Sequence, residues 1–496
     1  MRPQNIKTIL FCCLLLGTVH TSCRKLLEIP DPTNTISPGQ VFNTDKQANS
    51  AMAGVYTRMI HGDQAVFITD AASKLFSAGL VTITGGTSAD ELYSTNSGVA
   101  DYYYLLTNKI TVTNTTVPET IWSSAYQTIY GTNAIVEGIA ASTATSFSDS
   151  ARSVLTGEAK FVRAFTYFYL VNYFGDVPLV LTIDFNQTIN MSRTPQQRVY
   201  EQIVADLKEA QAALPENYIN GNNSRIRPNK FAATALLARV YLYLNDYTNA
   251  TIAASGVINN TALYGMEPLL NDVFSPASRE AIWQLQPTNN HNELRNAVPE
   301  GYLLLPAELH TGTPTFALTN TLVHAFEKGD LRFRDWVDST VNTDLPGQTN
   351  VFYFPFKYQT GRSNSELGGT QTAYYMMMRL AEMYLIRAEA AANGGPGGTS
   401  GAIADLNIVR KRAGLQKLPE TLTPNEVKTA VAKERQKELF AEWGHRWLDL
   451  KRTGKAGTVL SAITNKQPWA GDYQLLYPIP VSEITRNHFL TQNPMY

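Results

Sequence analysis

Glu434, Glu438 and Glu442 recur every fourth residue in ERQKELFAEWGHRW, so a continuous helix would set all three on one face, with Trp443 and Trp447 nearby. Paired carboxylates beside aromatic rings are the equipment of a glycosidase, where one protonates the leaving oxygen and the other attacks or activates water. That chemistry needs the two groups on opposite sides of a sugar, roughly 5 to 10 Å apart. Three carboxylates on one helix face are neighbours on one side. Arg435, Lys437, Arg446, Lys451 and Arg452 lie close enough in sequence to neutralise them. The pattern therefore predicts a structural ion-pair network, and no catalytic residue is assigned.

Other chemistries find no purchase. The seven histidines include one at position 20, and none falls in HExxH or another tight ligand spacing, so no zinc site is expected and no metal ligand is assigned. There is no Walker loop, no G-x-S-x-G elbow and no dinucleotide fingerprint, so no cofactor is expected. GGPGG at 394–398 lacks the Lys-Ser/Thr that would make it a phosphate cradle, and it reads as a turn between helices. With 41 basic against 42 acidic residues, nothing in the charge balance draws nucleic acid or an acidic membrane. The 44% hydrophobic and 17% charged content is that of an ordinary globular protein, and 25 tyrosines offer flat rings to a core or a ligand.

The three cysteines are Cys12, Cys13 and Cys23. Arg2 and Lys7 precede an apolar run from Ile9 to Leu16, which is too short to span a bilayer and is followed by small and polar residues to Ser22. This is the layout of a secretory signal over residues 1–22. Cleavage before Cys23 would leave one cysteine at the new N-terminus. Exported proteins normally use cysteines in pairs, so a lone one after an apolar run looks like the lipid acceptor of a bacterial lipoprotein. EIPDPTNTISPGQVF then reads as part of a tether over 23–40.

The rest of the chain must supply a frame. Helical periodicity covers 45–60, 119–140 and 148–174, the last ending at Gly175 and Pro178. Another helix occupies 194–214, with Thr194 as N-cap and Pro195 at the first helical position. Residues 229–258 form two helices around Asn245-Asp246, with Ala235, Ala238, Ala250 and Ala254 small enough for close approach, as in a tetratricopeptide pair. Residues 376–393 read as one helix apolar on two faces, partnered by 399–413. In a stack, one face meets the partner and the other the next repeat. The 119–174 region is a third candidate pair. Between 267 and 374 the periodicity weakens, with strand-like runs at 281–286 and 351–356.

These segments resemble the SusD/RagB family of outer-membrane lipoproteins from Bacteroidetes. The resemblance is carried by GEAKFVRAFTYFYLVNYFGDVPLV (157–180), RLAEMYLIRAEA (379–390), LNIVRKRAGL (406–415), ERQKELFAEWGHRWLDLKRTG (434–454) and YPIPVSEITRNHFLTQNPMY (477–496), which are collinear. It implies a mainly α fold in which tetratricopeptide-like helical pairs form a scaffold for irregular loops and a few short strands. Residues 41–496 would then be one domain, with ligand-binding loop regions at about 61–118 and 267–374. It further implies oligosaccharide capture at the cell surface by a protein lipidated at Cys23, anchored in the outer membrane and facing the exterior. The captured sugar would pass to a SusC-like TonB-dependent barrel.

Sugars are held by rings stacked on pyranose faces and by polar side chains on the hydroxyls. Two irregular stretches combine both: 88–106, with Tyr93, Tyr102, Tyr103 and Tyr104, and 286–310, with Asn290, His291, Asn292, Arg295, Tyr302 and His310. Trp283 and Trp336 sit in family-like contexts and are assigned to the core. A helical-repeat scaffold for peptide or protein cargo is the alternative, and a glycosidase the third reading.

Overall fold

The computed structural model describes residues 41–62, 75–96, 98–114, 116–342 and 349–496. The signal segment 1–22, Cys23 and the tether 23–40 lie outside the described residues. So do parts of both loop regions.

The frame is helical. Helix α1 (Asp45–His61) leads to α2 (Val81–Ser88), strand β1 (Leu92–Ser94) and α3 (Ala100–Thr107). Then come α4 (Thr116–Ala141), α5 (Asp149–Phe174), α6 (Gln196–Ala213), α7 (Lys230–Tyr243) and α8 (Tyr247–Ile258). The irregular half holds β2 (Ala281–Leu285), α9 (Pro299–Leu304), β3 (Phe316–Leu318), β4 (Val337–Asn342), β5 (Asn350–Pro355) and β6 (Tyr375–Arg379). Helices α10 (Leu380–Ala392), α11 (Gly398–Arg412), α12 (Pro424–Glu438) and α13 (His445–Arg452) follow.

From α4 to α8 each helix packs on the next, α8 packs on α10, and α10 packs on α11 and α12. Small residues set the spacing. A Cβ on Gly157 of α5 would meet the Cβ of Ala213 on α6 at 2.9 Å, and Ala235, Ala238, Ala250 and Ala254 are wholly buried between α7 and α8. Local chemistry starts the helices where the sequence placed them. Ser148 Oγ accepts the Ala151 N–H and Asn229 Oδ1 accepts that of Ala232. The loops hang on three two-stranded antiparallel ladders, β1 with β3, β2 with β6 and β4 with β5.

Three expectations are corrected. Residues 376–379 are not helical: they belong to β6, which pairs with β2 from Leu285↔Tyr375 to Ala281↔Arg379, and α10 begins at Leu380. A strand buried on both faces is a continuous apolar run, and its periodicity is indistinguishable from that of a buried helix. The two-faced burial of α10 itself is present, with Met383 and Ile386 fully buried, each worth about 1.5–3 kcal/mol. Second, α6 starts one residue later than expected. Pro195 is the cap residue, Thr194 pairs with Val177, and the first N–H, on Gln196, is satisfied at 2.8 Å by Asp176 at the far end of the long connection from α5. Third, α12 ends at Glu438, so Glu442 is not on its face. It lies in a turn where Ala441 and Trp443 take φ of 50° and 49°.

Candidate functional site

The carboxylates that invite catalysis are already engaged. Glu438 is bonded to Arg379 at 2.5 Å, to Arg332 at 3.1 Å and also to Arg412. Glu434 meets Arg332 at 2.7 Å, and Glu442 meets Arg379 at 2.8 Å and also Lys357. Glu280 of the β2 approach joins Arg379 at 2.9 Å and Arg412 at 2.6 Å. All are buried. The predicted network is therefore present, but its cations are mostly not the sequence neighbours; of those five, Lys437 reaches Glu434, at 3.6 Å. Arg435 and Arg452 turn to Asp449, Arg446 to Asp90, Lys451 to the Asn172 carbonyl, and Lys437 mainly to Glu327. Burial raises the Glu438 pKa, but three guanidiniums outweigh it and hold the carboxyl well below its ordinary value. Glu442 is likewise lowered by Arg379 and Lys357 against its burial. A glycosidase acid needs the opposite, a raised pKa facing an open site. Trp443 and Trp447 are core, the former donating its indole N–H to the Met376 carbonyl.

A different region is open. A cleft of about 480 Å³ lies where the chain leaves α2, where β3 ends, and along residues 462–466. Leu92 and Tyr93 of β1 form one wall, and β1 is held there by its ladder to β3, with Tyr93 opposite Ala317. Thr319 joins the walls: its hydroxyl donates to the Asp90 carbonyl at 2.5 Å and caps the helical turn Asn320–Val323 by accepting the Leu322 N–H. Lys466 pins the base. Its ammonium donates to the C-terminal carbonyls of α2 and α3, Thr87 and Leu106, at 2.8 Å each, and to Asn108 Oδ1 at 2.5 Å. Burial pushes Lys466 down to about 7, with Asp90 opposing. Asp90 is itself clamped by Arg446 at 2.7 and 2.8 Å.

The charges of the cleft are thus spent. Its other groups are not. The Tyr93 ring is half-buried, and burial raises its hydroxyl pKa. The side chains of Asn320, Thr321, Thr464 and Asn465 are exposed and make no hydrogen bond among the described residues. One ring with several unengaged amides and hydroxyls suits a polyhydroxylated ligand better than an anion or a metal.

Of the ten residues singled out from sequence, only Tyr93 lines this cleft. Tyr102 is a correction. It is buried edge-on against Phe316, ring centroids 4.9 Å apart, and offers no face to a ligand. Tyr103 is exposed, with its neighbour Tyr104 edge-on at 5.6 Å and partly packed on the core. The 286–296 loop is zipped to 365–371. Arg295 Nη1 donates to the Ser365 carbonyl at 3.0 Å, and Asn289 and Asn296 bond the backbone of 366–370. His291 accepts the N–H groups of Glu293 and Leu294 and stacks on His61, centroids 4.9 Å apart. Burial, then His291, lowers His61 to about 4. Asn290 and Asn292 are exposed. Tyr302 is half-buried under the Arg362 guanidinium at 4.5 Å, so one ring face is covered. His310 is exposed, 3.5 Å from Asp338 of β4.

Sequence reasoning missed Asn320, Thr321, Thr464 and Asn465. The two pairs stand far apart in the chain, each in an unremarkable polar stretch, and carried no local signal.

Two family models match the chain. Residues 77–242 match a SusD-like model described as starch-binding associating with outer membrane, and residues 320–496 match the SusD family. The chain belongs to the SusD/RagB family. SusD-like protein P2 of Formosa agariphila is similar along its whole length, 26% identical with 98% of this chain and 99% of that protein aligned. The starch-binding protein SusD of Bacteroides thetaiotaomicron is 35% identical over 131 residues, 24% of this chain and 21% of its own. A laminarin-binding SusD-like protein has the same fold, with a TM-score of 0.73 at 25% identity, covering 92% of this chain and 100% of that one. The SusD-like scaffold is thus the helical stack, and in this member the cleft sits beside it, where β1 and β3 meet residues 462–466.

Proposed function

We propose that this SusD-like protein captures an oligosaccharide in the Tyr93 cleft and the adjoining exposed loops, and delivers it to a SusC-like TonB-dependent barrel. The observation that carries the reading is the cleft itself: a half-buried ring among amides and hydroxyls left without internal partners. The starch- and laminarin-binding relatives support a glucan as the first ligand to try. The protein is not an enzyme in this reading, because its clustered carboxylates are consumed by buried cations. Residues 1–22 are removed, Cys23 carries lipid, 23–40 are a tether, and 41–496 act as one domain on the exterior of the outer membrane. Within the loops, Tyr103, Asn290, Asn292, Arg295, Tyr302 and His310 are secondary contacts, with Tyr104 and His291 supporting them.

Affinity electrophoresis of the mature chain against laminarin, starch and other polysaccharides tests this. Retardation by one glycan class, lost in Tyr93→Ala, is expected. Retardation that survives Tyr93→Ala, Asn320→Ala and Asn465→Ala together would move the site to the loops. No retardation by any glycan would favour peptide cargo.

A further inference from the structure

Between α5 and α6 the chain exposes an apolar knuckle that the glycan reading does not use. Leu181, Ile183, Phe185 and Ile189 are exposed within nine residues, Phe185 by 67%, and Tyr130 of α4 is exposed by 57%. Residues 179–191 contain no Lys or Arg and a single acid, Asp184. A cluster of this kind on an otherwise well-packed protein marks a contact surface.

The knuckle is held out rather than left loose. Residues 178–183 run along α4 and are pinned to it three times. Tyr126 Oη donates to the Pro178 carbonyl at 2.8 Å, Asn133 Nδ2 donates to the Val180 carbonyl at 3.0 Å, and Glu137 Oε1 accepts the Ile183 N–H at 3.1 Å. Extended chain alternates its side chains, which turns Leu181 and Ile183 outward. Asp184 then caps the single turn Phe185–Thr188, accepting from Asn186 N and Gln187 Nε2 at 2.9 Å each, so Phe185 is presented by a rigid, hydrogen-bonded turn.

The place where the N-terminal chain joins the fold says what covers it. Phe42 packs against Gly138, the residue after Glu137, and its carbonyl accepts from Ser142 Oγ at 2.6 Å. The stretch beginning at Cys23 therefore attaches at the same C-terminal end of α4 that holds Ile183. The residues between Cys23 and this point cannot span more than about 60 Å even at full extension, so an anchor at Cys23 holds this end of α4 within that distance of the bilayer. Tethering makes a weak apolar contact effectively intramolecular. The scarcity of charge on the knuckle suits the uncharged acyl boundary rather than lipid headgroups.

We infer that the Leu181–Ile183–Phe185 knuckle inserts into the lipid surface beside the anchor and sets the protein's orientation on the membrane. The inference rests on the proposed lipidation of Cys23. The test uses the mature lipidated chain in phosphatidylethanolamine/phosphatidylcholine vesicles. Because the only other cysteines precede Cys23, a cysteine introduced by Phe185→Cys is unique for a fluorescent label; Ile252→Cys on α8, exposed by 61%, is the control. Lipids with brominated acyl chains are expected to quench the label at 185 at least twofold and to leave that at 252 unchanged. Vesicle-bound protein with equal or no quenching at the two positions overturns the inference and leaves the anchor standing. Protein that fails to sediment with vesicles overturns both. A spectral shift at 185 that arises without vesicles and grows with protein concentration assigns the knuckle to a second copy and also overturns it.

Discussion

The Glu438 cluster and the Tyr93 cleft are made from similar side chains and end in opposite states. Around Glu438, each acid meets two or three cations, and Trp336 and Trp443 pack against them. Around Tyr93, the charged pair Asp90 and Lys466 is consumed by the frame, while the amides and hydroxyls at the rim have no internal partner. A buried charge must find its counter-charge within the fold or pay several kcal/mol, so such a cluster has nothing left for a ligand. A rim amide is content with water and can exchange it for a sugar hydroxyl. Polar composition alone does not mark a site; polar capacity left unspent does.

The largest effect that separates the two regions comes from Arg379. Replacing it with Met leaves Glu280, Glu438 and Glu442 short of a cation and should cost about 3–5 kcal/mol of unfolding free energy in denaturant titration. A loss below about 1 kcal/mol would show that the cluster behaves like a surface network.

Glu91 lies between the regions, next in sequence to Asp90 of the cleft and within the influence of Lys357 and Ala441. Burial, reinforced by Asp90, raises it to about 8, and its Oε1 has no partner among the described residues. Its folded pKa is above the unfolded value near 4.5, so between those pH values the folded state holds a proton that the unfolded state has lost. Stability from this group is present below pH 4.5 and is lost as pH rises towards 8, by up to about 1.4 kcal/mol per pH unit. The parent should therefore show a more negative stability slope from pH 5 to 8 than Glu91→Gln. Parallel curves would mean that Glu91 is ionised in the fold.

Asn320→Ala and Asn465→Ala sharpen the contrast from the cleft side. Each should weaken glycan binding by about 0.5–1.5 kcal/mol, the worth of one hydrogen bond, and leave unfolding within about 0.5 kcal/mol. Calorimetric titration alongside thermal unfolding reads both. The smallest change is expected from Tyr302→Ala. Arg362 already covers one ring face, so affinity should fall less than twofold; a larger drop would move the centre of the site towards the 286–310 loop.

Much of the frame was legible from local pattern. Ser148 and Asn229 cap α5 and α7 as their types require, and the small residues of α7 and α8 meet as their spacing requires. Legibility ended where the reason was not local. Tyr375–Met378 is apolar enough for helix or strand, and only the presence of β2 made it a strand. Gln196 takes its cap from Asp176 at the far end of the long connection from α5, so no cap residue at the head of α6 could be read correctly. Of the site, Tyr93 was legible as an aromatic in an irregular polar stretch; Tyr102, from the same stretch, proved to be core.

By itself the sequence determined the helical stack, the family and the class of side chain available at each loop. The stack follows from periodicity, caps and small residues acting over three or four positions, and the family from the resemblance of five collinear segments. Which charges are spent and which polar groups stay free was decided by the tertiary structure alone. Arg332, Lys357, Arg379 and Arg412 reach Glu438 and Glu442 from four separate elements, and Asn320 meets Asn465 across one cleft only after the chain has closed on itself. Pairing of this kind depends on distance in space, on which local propensity is silent.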